Sequence, residues 1–484
     1  MAGMSGTPIT VSLVVAVAAG LPAMPAPTYA DGLLAEVAVT LSGTDSAECG
    51  ASAAPCRTVS HAVGRVASGG TVRIGPGWYD ENIIVPDGLA VSLIGAGMDV
   101  TVLNGRQRAT VVDSWDGGAL EVADLSIVNG VGEGALDGGG ITSAAPLTVR
   151  QVRLWHNAGE VGGGIAAYAT TKVSGSIISG NSARSGGGGI FSRFHGLTLE
   201  RSTVGGNRAA VAGGGIYAIF SATRITDSTI TGNMAGTSAS GVLVAHGDVR
   251  LRHTTVAGNQ GPAALVTSGD PKHAHDITAS LFTGNAGGDC VLMHSPAIDL
   301  ANHNVSADGS CGRQVAAVDI DLRPVAELAT GTTPIHLLGV ASTIRGSIPA
   351  GDPLCDGTDQ HGQNRRSSLA GGCDPGAYQS APVPFNAIPP QLGGLDSPID
   401  PYGSVGSATP GVWPFQRNLV YAFQWQRCHH SEPVCVSIPD AVGRTYRVTE
   451  ADAGSRLRVR VVATSATGIS QPAYSAITEP IGYG

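Results

Sequence analysis

Aromatic residues make up only 5% of this 484-residue chain, and charged residues only 13%. So few rings cannot fill the interior of large domains, and the core has to come from aliphatic side chains packed on one another. The formal net charge is −9, which offers no broad cationic surface to a nucleic-acid backbone, and no nucleic-acid-binding motif is present. After the first thirty residues no apolar run is long enough to span a bilayer. Cys-x2-Cys spacings are also missing, which argues against structural zinc.

What the chain has in excess is glycine, at 70 residues, about twice the ordinary share. These glycines lack the every-third-residue period of collagen and alternate with Val- and Ile-rich stretches, so they predict tight turns between short strands. The eight cysteines fall into four close pairs: Cys49 with Cys56, Cys290 with Cys311, Cys355 with Cys373, and Cys428 with Cys435. Eight cysteines allow 105 connectivities, and neighbours in one local segment are the expected partners. The N-terminal run "ITVSLVVAVAAGLPAM", followed by "APTYA" with Thr28 and Ala30 before Asp31, is similar to a secretory signal peptide, although no Lys or Arg precedes Arg57. Residues 1–30 are therefore expected to be a leader. The mature protein is expected outside the cell or at its surface, where disulfides form.

An internal repeat dominates the middle of the chain. Units end in "TVLNG" (Asn104), "SIVNG" (Asn129), "RLWHN" (Asn157), "SIISGN" (Asn181), "STVGGN" (Asn207), "STITGN" (Asn233), "TTVAGN" (Asn259) and "SLFTGN" (Asn285), at spacings of 24 to 28. A period in the twenties signals a solenoid. Leucine-rich repeats share the length but require leucines where this chain has Val, Ile, Ser and Gly. From Asn181 onward two columns read as inward ladders: Val173, Leu199, Ile225, Leu251, Ile277, and Ile178, Val204, Ile230, Val256, Phe282. A third column, Ser176, Ser202, Ser228, Thr254 and Ser280, offers hydroxyls along the stack. Asn181, Asn207, Asn233, Asn259 and Asn285 are expected to hydrogen-bond from coil to coil, as Asn ladders do in stacked sheets. Glycine clusters follow Asn129, Asn157, Asn181 and Asn207, at 138–140, 162–164, 186–189 and 213–215. They read as turns, since no helix follows to make them a phosphate cradle.

These motifs resemble the right-handed parallel β-helix proteins of the pectate-lyase-like superfamily, over roughly Val37 to Cys311. The entry "GTDSAECGASAAPCRTVSHAVGRVASGGTVRIGPGWYDENIIV" is similar to the start of such exported proteins. Thr58 there is expected to cap a short helix whose Val59, Ala62, Val63 and Val66 cover the open end of the solenoid. "CDGTDQHGQNRRSSLAGGCDPGAYQ", Cys355 to Gln379, resembles the choice-of-anchor Q domain that ends many bacterial β-helices. Asp359, Gln360, His361 and Gly362 stand where that family usually has Asp-Gln-Arg-Gly, while Cys373, Asp374, Gly376, Ala377 and Tyr378 match it. The last stretch, with Trp425 and "ADAGSRLRVRV", resembles bacterial immunoglobulin-like modules. Its Cys428 and Cys435 would clip a local hairpin. The expected fold is all-β: a β-helix over 71–320 behind an entry strand and capping helix (31–70), an anchor-Q-type segment (321–380), a linker (381–403) and a small β-sandwich (404–484).

For function, the β-helix resemblance implies two alternatives. Lyases on this fold cluster carboxylates for Ca²⁺ beside an Arg or Lys base, and hydrolases need facing Asp or Glu. Here Glu121 and Glu200 are near the same phase but three coils apart, Asp227, Asp248 and Asp276 sit at different offsets, and Asp113 with Asp116 is the closest pair on one coil, in a turn. No catalytic residue is assigned, no metal site, and no cofactor, with Ca²⁺ kept only for the lyase alternative. His273 and His275 sit in "SGDPKHAHD" without a third ligand. The basic residues are more ordered. Lys172, Arg224 and Arg250 fall in one outward column, with Arg252 in the next and Arg201 beside it. They make a strip suited to an anionic glycan on an otherwise acidic protein. The expected function is polysaccharide binding or adhesion; the alternative is a polysaccharide lyase or glycoside hydrolase.

Overall fold

The computed structural model describes residues 32–482 except 294–301, 327–332, 340–341, 368–371, 381–385, 387, 396–402, 414–418, 430–433 and 466–467. The expected leader, with Thr28 and Ala30, lies outside the described residues, as does much of the expected linker.

One coil shows how the repeat folds. Thr223–Thr226 and Thr229–Thr231 lie on the two arms, the first and second sheets, of one continuous 19-stranded sheet folded at a corner; Met234–Ala235 joins a short four-stranded sheet and Ala239–Ala245 the third sheet; Val249–Arg252 then re-enters the first sheet one coil on. Every pairing between successive coils is parallel, and residues of equal phase are in register, as in Thr198 opposite Arg224 opposite Arg250. Alternation along each strand sends Val249 and Leu251 inward and Arg250 outward. Corners are turned by a single residue in the left-handed region. Between the first and second sheets these are Arg201, Asp227, His253 and Ala279 (φ 46, 45, 47 and 48°); after the second sheet they are glycines such as Gly206 and Gly232 (63 and 61°). Nine parallel strands from Ile83–Ile84 to Cys290–Leu292 make the third sheet. The result is a right-handed parallel β-helix.

Inside, Leu199, Ile225 and Leu251 stack in one ladder and Val204, Ile230 and Val256 in another, all fully buried. At about 1.5–3 kcal/mol for each such side chain, these ladders are the main source of cohesion along the axis. The asparagines add directional bonds. The backbone N–H and the Nδ2 of Asn207 both donate to Oδ1 of Asn233, each at 3.0 Å, and Nδ2 also donates to the Ile178 carbonyl at 2.8 Å. The same pattern links Asn157, Asn181, Asn233, Asn259 and Asn285. The two earliest units depart from the expected alignment. Val128 pairs with Trp155, so Asn129 stands opposite His156, and Gly130 stands opposite Asn157 and donates to it at 2.8 Å. Asn104 pairs with Val128 itself. Neither belongs to the ladder column, because units of 25 and 28 residues change where the corner falls.

At the N-terminal end, His61 N–H donates to Thr58 Oγ1 (3.2 Å), starting a helix, Val59–Val63, whose Val59, Ala62 and Val63 are buried. All eight cysteines are paired, Cys49–Cys56, Cys290–Cys311, Cys355–Cys373 and Cys428–Cys435. Beyond the solenoid, a three-stranded and a four-stranded antiparallel sheet enclose Trp425, Leu457, Val459 and Val461, an arrangement consistent with a small β-sandwich. This unit touches the first coils, where Ser437 N–H donates to the Asp99 carbonyl (2.7 Å) and the His429 ring lies 5.4 Å from that of Trp78.

Candidate functional site

Two of the three sheets differ sharply in what covers them. The outward threonines of the second sheet, Thr203, Thr229 and Thr255, are buried although they point away from the core. A strap formed by the segment after the solenoid covers them. Gln360 Nε2 donates to Thr203 Oγ1 (2.9 Å), and Thr229 Oγ1 donates to Gln360 Oε1 (2.7 Å). Further along, Ala377 N–H donates to Thr255 Oγ1 (2.9 Å), and His336 Nε2 accepts from Thr231 Oγ1 (2.7 Å). Within the strap, Asp359 accepts from the backbone of His361, Gln363 and Gln379, and Asp374 from that of Ser380. The residues that carry the anchor-Q resemblance therefore hold the strap in shape and dock it; His361 donates through Nε2 to the Thr333 carbonyl (2.7 Å).

This covering leaves the first sheet, and its corner with the third, open to solvent. There a groove of about 410 Å³ runs across successive coils. It is lined by the small residues Gly196, Ala222 and Ala274, by Thr198, Arg224 and Arg250, and by the carboxylates Asp248 and Asp276. Thr198, Arg224, Arg250 and Asp276 are direct partners in register, and Lys172 precedes Thr198 in the same column. Lys172 and Arg224 are exposed and carry no ion pair among the described residues. Arg250 differs: its Nε lies 2.9 Å from Asp276, so part of its charge is spent within the protein.

The remaining candidates are placed elsewhere. Arg252 points under the strap and donates to the Pro353 carbonyl (3.3 Å). Arg201, at a left-handed corner, lines a separate cavity of about 310 Å³ with Arg150, Thr333, Gln360 and His361. The five basic residues read as one strip thus divide into an open column (Lys172, Arg224, Arg250) and a strap-side pair (Arg201, Arg252). Sequence reasoning missed the ring column Phe194, Phe220 and His246, which recur at a spacing of 26 at the corner between the third and first sheets. That spacing was the available signal.

Two carboxylates, Asp248 and Asp276, line the groove beside Arg250, and each has a partner: Asp276 lies 2.9 Å from Arg250 Nε and Asp248 3.2 Å from His273 Nδ1. Arg150 pairs with Glu121 and Asp124, Arg365 with Asp227, and His273 with Asp248. Backbone donation from Ala274 N–H and the His273 side chain hold Asp248 below the usual carboxylate range, against a smaller opposing effect of burial. His275 is pushed down by burial, and His273 Nδ1 lies 3.2 Å from Asp248 Oδ1. At a different place, on the outer side of the third sheet, burial pushes Asp113 up. Trp115 N–H opposes that shift, and the nearby Asp137 and Asp116 charges add to it. Trp115 and Tyr168 meet edge to face beside it, 5.0 Å apart.

Residues 138–305 match the family model described as Right handed beta helix region. No curated protein matches the chain, and no solved structure does. The matched stretch of the β-helix includes every coil of the groove, whereas the strap and the C-terminal sheets lie outside it. Among the described residues no helix is long and apolar enough to cross a membrane.

Proposed function

We propose that this protein is exported and binds an anionic polysaccharide, without turning it over, along the groove on the first sheet. The observation that carries this reading is the in-register column of Lys172, Arg224 and Arg250 beside a groove that continues from coil to coil. A repeating surface suits a repeating ligand, and the exposed cations Lys172 and Arg224 on a protein of net charge −9 favour acidic units locally. Four disulfides accord with an oxidising destination. The test is retention of the purified protein on immobilised polygalacturonate and on neutral dextran, with and without Ca²⁺, across a salt series. Retention on the acidic polymer that falls with salt, and falls further in Lys172→Ala with Arg224→Ala, is the expected result. Equal retention on both polymers in high salt would sink the reading.

A hydrolase is the second reading, favoured by one observation: Asp113 is raised by burial and lies close in charge terms to Asp116 and Asp137, beside two aromatic rings. A carboxyl whose hold on its proton is strengthened by burial, beside other carboxyl groups, is the arrangement from which general acid catalysis of glycoside cleavage is built. Release of reducing ends that stops in Asp113→Asn would establish turnover in place of binding alone.

A further inference from the structure

From Asp124 to Ala279, successive coils turn the corner between the first and second sheets on one residue in the left-handed region. Gln151, Gly175 and Arg201 are consecutive members of that column, with φ of 53, 55 and 46°. Gly175 brings no side chain to a position where its neighbours bring long ones. A Cβ added there would meet nothing nearer than Gln151 Cγ, at 3.5 Å. The slot left open is the cavity of about 310 Å³ lined by Arg150, Gln151, Ser174 and Arg201 of the solenoid, and by Thr333, Gln360 and His361 of the strap.

The strap side of this cavity is fixed in place. Thr333 and Gln360 are 3% and 4% exposed, and Gln360 Nε2 donates to Thr333 Oγ1 (2.6 Å). Thr333 Oγ1 in turn donates to the Arg201 carbonyl (3.3 Å), which ties the strap to the corner itself. A preformed polar cavity where two units meet is a usual setting for a small-molecule site, and this volume holds one compact molecule rather than a polymer.

Both charged side chains lining the cavity are cations, and they differ in how far they are engaged. Arg150 lies 3.1 Å from Asp124 and 3.7 Å from Glu121. Arg201 has no ion pair among the described residues, and Glu200, next to it in the chain, does not line the cavity. His361 donates through Nε2 to the Thr333 carbonyl, so its Nδ1 is left as an acceptor, and burial keeps the ring neutral at pH 7. The cavity therefore offers one available guanidinium for an anionic group. It also offers a hydroxyl, an amide and an imidazole nitrogen for groups that donate.

We propose that this cavity is a second binding site, for a small hydroxy-carboxylic acid, and that its occupation fastens the strap to the solenoid. The carboxylate meets Arg201, and the hydroxyls meet Gln151, Ser174 and His361. Because Arg201 belongs to the solenoid and His361 to the strap, a ligand touching both binds only the docked state and stabilises it by mass action. The site is separate from the first-sheet groove and does not depend on what that groove binds.

The test is titration calorimetry of the whole protein with L-malate, with glycerol and inorganic phosphate as comparison probes, joined to hydrogen exchange of the strap amides. Malate should bind, glycerol should not, and phosphate should bind more weakly than malate. At a malate concentration about one hundred times Kd, strap amides that exchange through undocking should slow about a hundredfold. Arg201→Ala should weaken malate about tenfold or more. Gly175→Gln gives this corner the side chain that the preceding corner already carries at the same φ, and should abolish binding by filling the slot. Thermal melting of both variants reports on folding, and either one suffices for the comparison. The proposal is overturned if wild type binds no malate, if phosphate binds as tightly, if a folded variant binds malate as wild type does, or if malate binds without slowing strap exchange.

Discussion

Arg365 and Asp227 meet at 2.6 Å across 138 residues of chain, and no part of the arginine side chain reaches solvent. Asp227 is a left-handed corner residue of the solenoid; Arg365 belongs to the strap. The pair fastens the strap to the corner between the first and second sheets, and Arg365 Nη2 also donates to the Ala377 carbonyl at 3.3 Å.

Because the Nε and Nη1 of Arg365 have no other partner, Asp227 is the group that makes its burial tolerable. Asp227→Ala leaves a buried cation uncompensated and should destabilise the docked strap by about 3–5 kcal/mol. The double variant Asp227→Leu with Arg365→Met removes both charges and should recover most of that loss. Denaturant unfolding and trypsin cleavage at Arg366 measure both.

Docking of the strap should also weaken in acid. Burial holds His253, His336 and His361 below the ordinary histidine value. His253 Nε2 donates to the Leu354 carbonyl (2.7 Å), and His336 Nδ1 donates to that of Arg323 (2.7 Å). Each native histidine refuses a proton that the undocked chain accepts near pH 6.5, so the undocked state binds more protons as pH falls. Stability from these groups is complete above about pH 6.5 and declines below it. Hydrogen exchange of strap amides at pH 7.5 and 5.5 should show faster opening at the lower pH, corrected for intrinsic rates; equal opening would contradict this.

Asn233→Ala should open the solenoid at its middle. The substitution removes the acceptor of two Asn207 donors and the donors to Asn259 Oδ1 and the Val204 carbonyl. With buried groups left unsatisfied, the expected cost is about 3 kcal/mol, against well under 1 for an exposed substitution such as Thr237→Ala. Thermal melting of the two variants makes the comparison.

Gly188→Ala tests how closely the coils approach. An added Cβ would stand 2.4 Å from the Gly214 carbonyl oxygen and 2.5 Å from that of Arg208, both backbone atoms of the next coil. The Gly214 carbonyl adjoins Gly213, whose carbonyl accepts the inter-coil bond from Gly188 N–H (3.0 Å). Gly258→Ala meets nothing within 4 Å and is strained only by its φ of 64°. The first variant should lose clearly more stability than the second, or fail to accumulate as folded protein.

Much of the solenoid was legible because its residues repeat. Val173 to Ile277 and Ile178 to Phe282 could be aligned by eye, and a constant period leaves only one register in which apolar side chains stay inside. The same alignment failed at Asn104 and Asn129, where unit length changes and the corner shifts with it. Local features such as the Thr58 cap and the pairing of neighbouring cysteines depended on short sequence separations and were readable for that reason.

The sequence by itself determined the coil: the apolar ladders, the hydroxyl and Asn columns, and the outward column from Lys172 to Asp276 all follow from periodicity. Only the tertiary structure decided which outward face stays open. Arg201 and Arg252 share the phase pattern of the exposed strip, yet they lie beside the strap because Gln360, Arg365 and Leu354 meet the solenoid across more than a hundred residues. Periodicity carries no information about such contacts, since they depend on where a later, non-repeating segment folds back.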